Sequence, residues 1–198
     1  MSDLVWPLDL RPASQEFYIQ TLSTVWASPY TGQNQVLERD GARWVSRLTF
    51  LRGDPLARQV DALIASLRGP AGTVLVPDWR TLAARGTLAG TPQLAGGSGR
   101  SLTVTGFAPG AMGVLLPGDL IQTSPGRAHL VTSIVNAGPD GSALVPVEPR
   151  LRDPVTIGPL VTTACRVRMR LSSDDAGRNP TRPPRRSEWS LELFEVLA

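Results

Sequence analysis

Lysine is absent from this chain of 198 residues, and all 20 of its basic residues are arginine. The 17 acidic residues nearly balance them, so the net charge is only +3. Nucleic-acid-binding proteins usually gather their basic residues on one face, whereas these arginines are spread along the chain. We therefore expect no nucleic-acid partner. Arginine forms planar, bidentate contacts and is common at protein interfaces.

Cysteine and histidine each occur once, as Cys165 and His129. A single cysteine excludes a disulfide within the chain and a cysteine-based metal site. Zinc sites normally use three or four ligands, so we predict no metal and no cofactor. His129 begins a predicted strand, and we expect it on the strand surface, because general-base catalysis would need a nucleophile or an orienting carboxylate whose signature is missing.

Catalytic and phosphate-binding motifs are missing as well. No nucleophile elbow is present, and the glycine-rich residues 96–99 lack the Lys-Ser/Thr ending of a phosphate loop. Two acidic pairs, Asp153 with Glu148 and Asp174 with Asp175, sit near predicted turns, where aspartate is common. We interpret them as solvated turn residues rather than as the paired carboxylates of a glycosidase. The sequence therefore predicts a protein that is not an enzyme.

Long apolar runs and a signal sequence are also lacking. No run approaches the 18 apolar residues of a membrane span, and the first residues lack the basic and apolar regions of a signal peptide. We expect no membrane partner and synthesis in a cytoplasm. Charged residues make up 19% of the chain, below the usual quarter, which leaves neutral surface that is easily buried against partners.

The residues that are present predict a mainly β fold with one helix. The 19 glycines and 18 prolines favour turns and short strands. A helix is predicted over residues 54–68, with Asp54 as N-cap, Pro55 in its first turn, and Gly69 and Pro70 as its end. Its apolar stripe comprises Leu56, Val60, Leu63, Ile64 and Leu67.

Strand patterns predict a discontinuous layout of two domains. Residues 1–80 hold too few strands for a covered sheet, and alternating strands within 157–171 and 188–197 could complete it. We predict a β-sandwich domain from residues 1–87 and 156–198, and a small OB-like β-barrel, inserted or appended, from residues 88–155. Residues 80–100, and 96–99 above all, are interpreted as a linker.

The five tryptophans and one basic loop are the candidate contact residues. Trp6, Trp26, Trp44, Trp79 and Trp189 all belong to the first predicted domain, which favours an aromatic core or interface over a sugar-binding platform. The arginine-rich residues 178–186 are typical of a solvated loop, which in an assembly could reach a neighbouring subunit.

Short motifs along the chain resemble those of distal tail proteins, small tail components of siphophages and prophages. The motifs are Trp6-Pro7-Leu8, Tyr30-Thr31-Gly32-Gln33-Asn34-Gln35, Gly41-Ala42-Arg43-Trp44, Leu116-Pro117-Gly118-Asp119-Leu120-Ile121 and Val147-Glu148-Pro149-Arg150-Leu151-Arg152. The resemblance implies a belt domain that closes a hexameric ring, plus a small barrel. It also implies a virion location, between a tail tube protein and a tail-tip or baseplate hub protein.

Under this hypothesis the chain is a structural virion protein, and its first partner is itself. The candidate subunit-interface residues are Trp6, Leu8, Trp26, Trp44, Trp189, Arg182, Arg185 and Arg186. Three alternatives stay open: a glycan-binding module of the tail tip, another virion connector such as a tail-completion protein, and a hydrolase that uses His129 or Asp119. The predicted barrel contains a single aromatic residue, Phe107, which argues against a sugar-stacking site.

Overall fold

The computed structural model describes residues 3–52, 56–182 and 186–197. These residues form a mainly β fold with one α-helix, as the sequence predicts. The strands are β1 (Leu4–Val5), β2 (Ser14–Ala27), β3 (Asn34–Arg52), β4 (Val74–Pro77), β5 (Gly90–Ser98), β6 (Ser101–Phe107), β7 (Leu120–Ser124), β8 (Arg127–Val131), β9 (Ala143–Glu148), β10 (Gly158–Pro159), β11 (Arg166–Leu171), β12 (Thr181–Arg182) and β13 (Arg186–Glu195).

The first sheet joins strands from both ends of the chain. Its order is β1-β4-β11-β13-β3-β2, with β12 paired to β13. Strand β13 runs antiparallel to β3 from Ser187 opposite Arg52 to Phe194 opposite Val45, and β11 pairs with both β4 and β13. The predicted return of the C-terminal strands to the N-terminal sheet is therefore confirmed, whereas the division into two domains stays a prediction.

The second sheet has the order β10-β5-β6-β9-β8-β7 and curls into a half-barrel. Residues 158–161 join its two edges, because β10 pairs with β5 and the N–H of Gln122 in β7 donates to the oxygen of Val161 at 2.9 Å. The predicted strand run over 157–171 is thus wrong at its start. Pro159 lacks an N–H, and Ala164 takes a φ of 47° that breaks the extended course.

The glycine-rich residues 96–99 are not a linker, which corrects the sequence interpretation. They end β5 and form the turn into β6. A Cβ atom on Gly97 would lie 2.9 Å from both Leu102 Cδ2 and Leu151 Cδ1. The glycine therefore allows close packing of two apolar side chains on the strand, and its role is steric rather than flexible.

Helix α1 spans Leu56–Leu67 and lies against the first sheet's core through Ala57, Val60 and Leu67. Its predicted N-cap, Asp54, and Pro55 lie outside the described residues. After the helix, Arg68 and Gly69 adopt positive φ angles of 54° and 66°, and a short 3₁₀ turn over Gly69–Ala71 leads into β4. The predicted stop at Gly69 and Pro70 is confirmed.

The first apolar core includes Leu120 and Ala128 of the second sheet, the second core belongs to the second sheet, and hydrogen bonds to backbone oxygens also join the sheets. The indole Nε1–H of Trp44 in β3 donates to the oxygen of Ala128 in β8 at 2.8 Å. The N–H of Arg168 in β11 donates to the oxygen of Gly126 at 2.9 Å. The turn between β7 and β8 is thereby attached to the first sheet.

Candidate assembly surface

The outer half of the β2–β3 hairpin extends beyond the rest of the first sheet. Strand β3 pairs with β13 only from Val45 to Arg52, whereas its pairing with β2 continues to Asn34 opposite Ala27. We call residues 22–39 the hairpin tip. Its turn is closed by the N–H of Ser28, which donates to the oxygen of Gln33 at 2.8 Å.

The alternation of side chains gives the hairpin tip two faces. Residues directly opposite each other in the register point to the same side, so Trp26 lies beside Gln35 and Thr24 beside Leu37 on one face. We call this the tryptophan face. The opposite face carries Val25 beside Val36 and, nearer the stem, Ser23 beside Glu38.

Both faces carry large apolar side chains that are open to solvent, beside polar residues and one charged residue each, Arg39 opposite Leu22 and Glu38 opposite Ser23. Trp26 and Leu37 are 50% and 49% exposed on the tryptophan face, and Val25 and Val36 are 57% and 66% exposed on the other. A two-stranded ribbon is at best marginally stable alone in water, and contiguous exposed apolar surface marks interaction sites. The hairpin tip therefore has the composition of a segment that is covered on both sides.

Both edges of the hairpin tip are also unpaired. Strand β2 is the last strand of its sheet, and among the described residues no strand other than β2 pairs with positions 34–43 of β3. An unpaired edge presents a row of N–H and C=O groups that another chain can match. A strand from another chain can therefore pair with either the β2 edge or the β3 edge of the hairpin tip.

Ion pairs attach Glu38 and Asp40 of the hairpin to the second sheet. Arg150 Nη1 lies 2.6 Å from Asp40 Oδ2, and Arg100 binds both Glu38 and Glu148. These contacts surround a cleft of about 300 Å³. Glu38 lies on the same face as Val36 and binds Arg100 beside the second sheet, so the face that carries Val36 looks toward the second sheet of its own chain, and the tryptophan face looks away from it.

Three of the predicted interface tryptophans lie in the core, which corrects the sequence interpretation. Trp6, Trp44 and Trp189 are buried. Trp6 stacks on Phe50 with a centroid distance of 5.8 Å, and Phe50 stacks on Trp189 at 5.4 Å. Because these side chains are enclosed by their own chain, they cannot contact a second subunit. They form the aromatic core that the sequence analysis gave as the alternative to an interface.

The remaining predicted interface residues have mixed outcomes. Trp26 is half exposed on the hairpin tip, and Leu8 is partly exposed, so both can contact a partner. Arg182 and Arg186 lie in the paired strands β12 and β13, and their side chains are outside the description. Arg185 lies outside the described residues altogether.

His129 is buried rather than on the strand surface, which is a second correction. Its Nδ1 lies 2.7 Å from the oxygen of Pro149, and because a carbonyl only accepts, Nδ1 carries the hydrogen. Burial lowers the pKa of His129 to about 4, and the nearby positive charge of Arg127 adds to that effect. The neutral ring therefore acts as a hydrogen-bond donor to the loop before Arg150.

A buried carboxylate beside His129 links the two sheets. Glu195 Oε1 lies 3.3 Å from Arg127 Nη1, and Oε2 accepts the N–H of Trp44 at 2.9 Å. Burial raises the pKa of Glu195. Arg127 also binds Asp153 at 2.7 Å, and Asp153 is exposed at a bend, as the sequence predicts for a solvated turn residue.

Asp119 organises a loop instead of facing a cleft. Its buried carboxylate accepts the N–H groups of Arg85, Gly86 and Leu116 at 2.9, 3.1 and 2.8 Å. Within the described part of the chain no group of three His, Cys, Asp or Glu residues could hold a metal ion. No helix in the same part is long and apolar enough to cross a membrane.

The sequence interpretation missed the second strand of the hairpin tip, which begins at Asn34 in β3. Between residues 86 and 118 the only charged side chain is Arg100, and this low charge was a signal in the sequence for a largely uncharged surface.

A comparison with protein-family models found no match, and a comparison with curated proteins found none either.

Proposed function

We propose that this protein is a structural virion subunit that forms a ring at the distal end of a phage tail tube and links the tube to the tail-tip hub. The observation that carries the proposal is the hairpin tip, with exposed apolar side chains on both faces and two unpaired edges. The placement in a tail, the six-fold ring and the two neighbouring proteins rest on the resemblance to distal tail proteins.

The two edges of the hairpin tip are different, which favours a ring over a dimer. One edge belongs to β2 and the other to β3, so a β2 edge that meets the β3 edge of the next copy makes a head-to-tail contact. Because β2 and β3 run in opposite directions, the new pair is antiparallel. Repeated around an axis, this contact closes a ring in which no edge remains free.

The polar residues that could suggest catalysis support a structural role instead. His129 donates to the oxygen of Pro149, Asp119 holds three backbone N–H groups, and Asp153 binds Arg127. Each is committed to a contact within the fold, which leaves it poorly placed to act on a substrate.

Assembly is tested by the mass of the purified protein in solution. We expect the wild type to form a closed oligomer, and Leu37→Ser to weaken each contact. Losing the burial of one leucine removes about 2 kcal/mol, or roughly 30-fold in affinity. Leu51→Ser is the matched control, because Leu51 lies on the same strand and is exposed outside the hairpin tip. Equal effects of the two variants would contradict a role of the hairpin tip.

Location is tested by imaging purified virions that carry a labelled copy of the protein. We expect the label at the distal end of the tail tube. A label at the neck would replace the proposal with the connector alternative. Virions without the protein, combined with a monomeric protein at high concentration, would overturn it.

A further inference from the structure

An irregular bulge interrupts the β2–β3 hairpin next to the hairpin tip. At this point one residue of β2, Thr21, lies opposite three residues of β3, Asp40, Gly41 and Ala42. We call these three residues of β3 the bulge. Extra residues disrupt the ladder of hydrogen bonds and bend the strand, and a glycine within a strand weakens it further. The bulge is therefore the point at which the hairpin can flex.

On one side of the bulge the hairpin is firmly held. The N–H of Trp44 donates to Oε2 of Glu195 at 2.9 Å, and its indole Nε1–H donates to the oxygen of Ala128 at 2.8 Å. From Val45 onward β3 is paired on both sides, with β2 and with β13. The rigid part of the sheet thus reaches to within two residues of the bulge.

On the other side of the bulge the hairpin tip has only polar attachments. Among the described residues, no side chain of the hairpin tip belongs to either apolar core. Outside the hairpin itself, the hydrogen bonds and ion pairs that the structure describes for residues 22–42 go to three arginines, which we call the arginine clasp. They are Arg100 to Glu38, Arg150 to Asp40 at 2.6 Å, and Arg152 to the oxygen of Ala42.

The arginine clasp is based on a well-packed part of the second sheet. Two of its arginines flank Leu151, which is buried in the second core and whose N–H donates to the oxygen of Gly99 at 2.7 Å. The preceding Pro149 accepts the hydrogen bond of the buried His129. The clasp is therefore fixed, and the hairpin tip is the part that can move. The cleft of about 300 Å³ between them leaves room for such movement.

The contacts of the arginine clasp are weak enough to open. Arg100 and Arg150 are 50% and 51% exposed, and the carboxylates of Glu38 and Asp40 are more exposed still. An exposed ion pair shifts an equilibrium by about fivefold at most, and salt weakens it further. Such pairs can hold the hairpin tip in one position without fixing it there.

We propose that the hairpin tip pivots on the bulge, and that the arginine clasp is a salt-sensitive latch that holds it beside the second sheet. Hinge motions are absorbed by a few residues at the end of a structural element, and the bulge provides them here. Release of the latch presents the exposed apolar side chains of the hairpin tip at a different angle. The pivot is a property of the single chain and does not depend on the proposed ring.

Single-molecule energy transfer measures the position of the hairpin tip. Dyes are attached to Tyr30→Cys at the exposed turn of the hairpin and to Leu144→Cys, exposed on β9. Cys165 is buried, and burial raises its pKa to about 12, so it takes up no dye. The full-length chain is observed at a dilution at which each molecule is seen alone.

Salt is the first perturbation, because it acts on the wild-type contacts. At about 0.1 M sodium chloride we expect one main distance between the dyes, which corresponds to clasped chains. At about 1 M the screening length falls from about 10 Å to about 3 Å. We expect a second population, of released chains, to grow under that condition.

Substitution of the clasp tests the latch at low salt. For Arg100→Gln combined with Arg150→Gln we expect the ratio of released to clasped chains to rise about three- to tenfold, because two exposed ion pairs are lost. Arg47→Gln is the matched control. Arg47 is 52% exposed and binds two carboxylates, but both lie within the first sheet, so the ratio should not change.

Reversal of one ion pair separates the charge interaction from other effects of substitution. Asp40→Arg places a positive charge beside Arg150 and should release the hairpin tip. Asp40→Arg combined with Arg150→Asp restores the pair and should return the ratio toward that of the wild type. A reversed pair that releases the tip as much as Asp40→Arg alone would overturn the latch. A double glutamine variant that matches Arg47→Gln, with a wild type that does not respond to salt, would overturn it as well.

Discussion

Asp119 offers a direct test of whether a conspicuous carboxylate serves chemistry or architecture. Its side chain is fully buried. One oxygen accepts the N–H of Arg85, and the other accepts those of Gly86 and Leu116. In Asp119→Ala all three N–H groups lose their acceptor.

The expected cost follows from those three groups. A buried donor left without a partner costs about 1–3 kcal/mol. Water reaching the loop beside the exposed Arg85 side chain offsets part of this, so we expect a loss of about 3–6 kcal/mol for Asp119→Ala. Asp119→Asn can turn its amide so that the oxygen still accepts two N–H groups, and we expect about 1–3 kcal/mol.

The measurement is the free energy of unfolding from urea denaturation of the two variants and the wild type. We expect the free energy of unfolding to fall in the order wild type, Asn variant, Ala variant, and its dependence on urea concentration to be similar in all three. An Ala variant within about 0.5 kcal/mol of the wild type would refute the loop-organising role. A catalytic carboxylate outside the structural network would give that refuting result.

Three further perturbations test the junction between the sheets and its turns. The pKa of His129 is lowered from 6.5 to about 4. The stability contributed by the neutral ring is therefore present above pH 6.5 and is lost as the pH falls toward 4, by up to about 3 kcal/mol. His129→Gln should remove this loss, so the free energy of unfolding from urea titrations should change less between pH 6.5 and 4 than in the wild type. Trp44→Phe removes the hydrogen bond to Ala128, and we expect a loss of about 1–2 kcal/mol in the same assay. In Gly126→Ala the φ of 82° is strained for alanine, and the new Cβ atom would lie 2.8 Å from the side chain of Arg168. In the control Gly110→Ala the φ of 69° is also strained, but no atom lies within 4 Å of the new Cβ. The Gly126 variant should therefore show the larger fall in thermal midpoint, and equal falls would contradict the steric argument.

Local patterns in the sequence were sufficient for the helix and for the returning strands. The apolar stripe from Leu56 to Leu67 matches α1. The alternation of Val167, Met169 and Leu171 identified a strand with one buried face, which is where β11 packs. In both cases the signal is a side-chain period that burial imposes directly on neighbouring residues.

The hairpin tip could not be predicted in the same way. Residues 34–42 are rich in polar side chains, and their strand conformation depends on pairing with β2 rather than on burial. The burial of His129 likewise depends on Pro149, which arrives from another loop. Gly97 looked like part of a flexible linker because its packing partner Leu151 is distant in sequence. These features arise from contacts between remote segments, which local periodicity does not encode.

The pairing of β13 with β3 also sets an order of events during synthesis. Strand β3 leaves the ribosome long before its partner β13, whereas all strands of the second sheet, β5 to β10, lie between them. Contacts that span most of a chain form slowly, because a long loop must close first. We therefore expect the second sheet to fold while the chain is still growing and the first sheet only after β13 emerges. Until then the apolar hairpin is exposed to chaperones and to other nascent chains, and coexpression with a chaperone should raise the soluble yield.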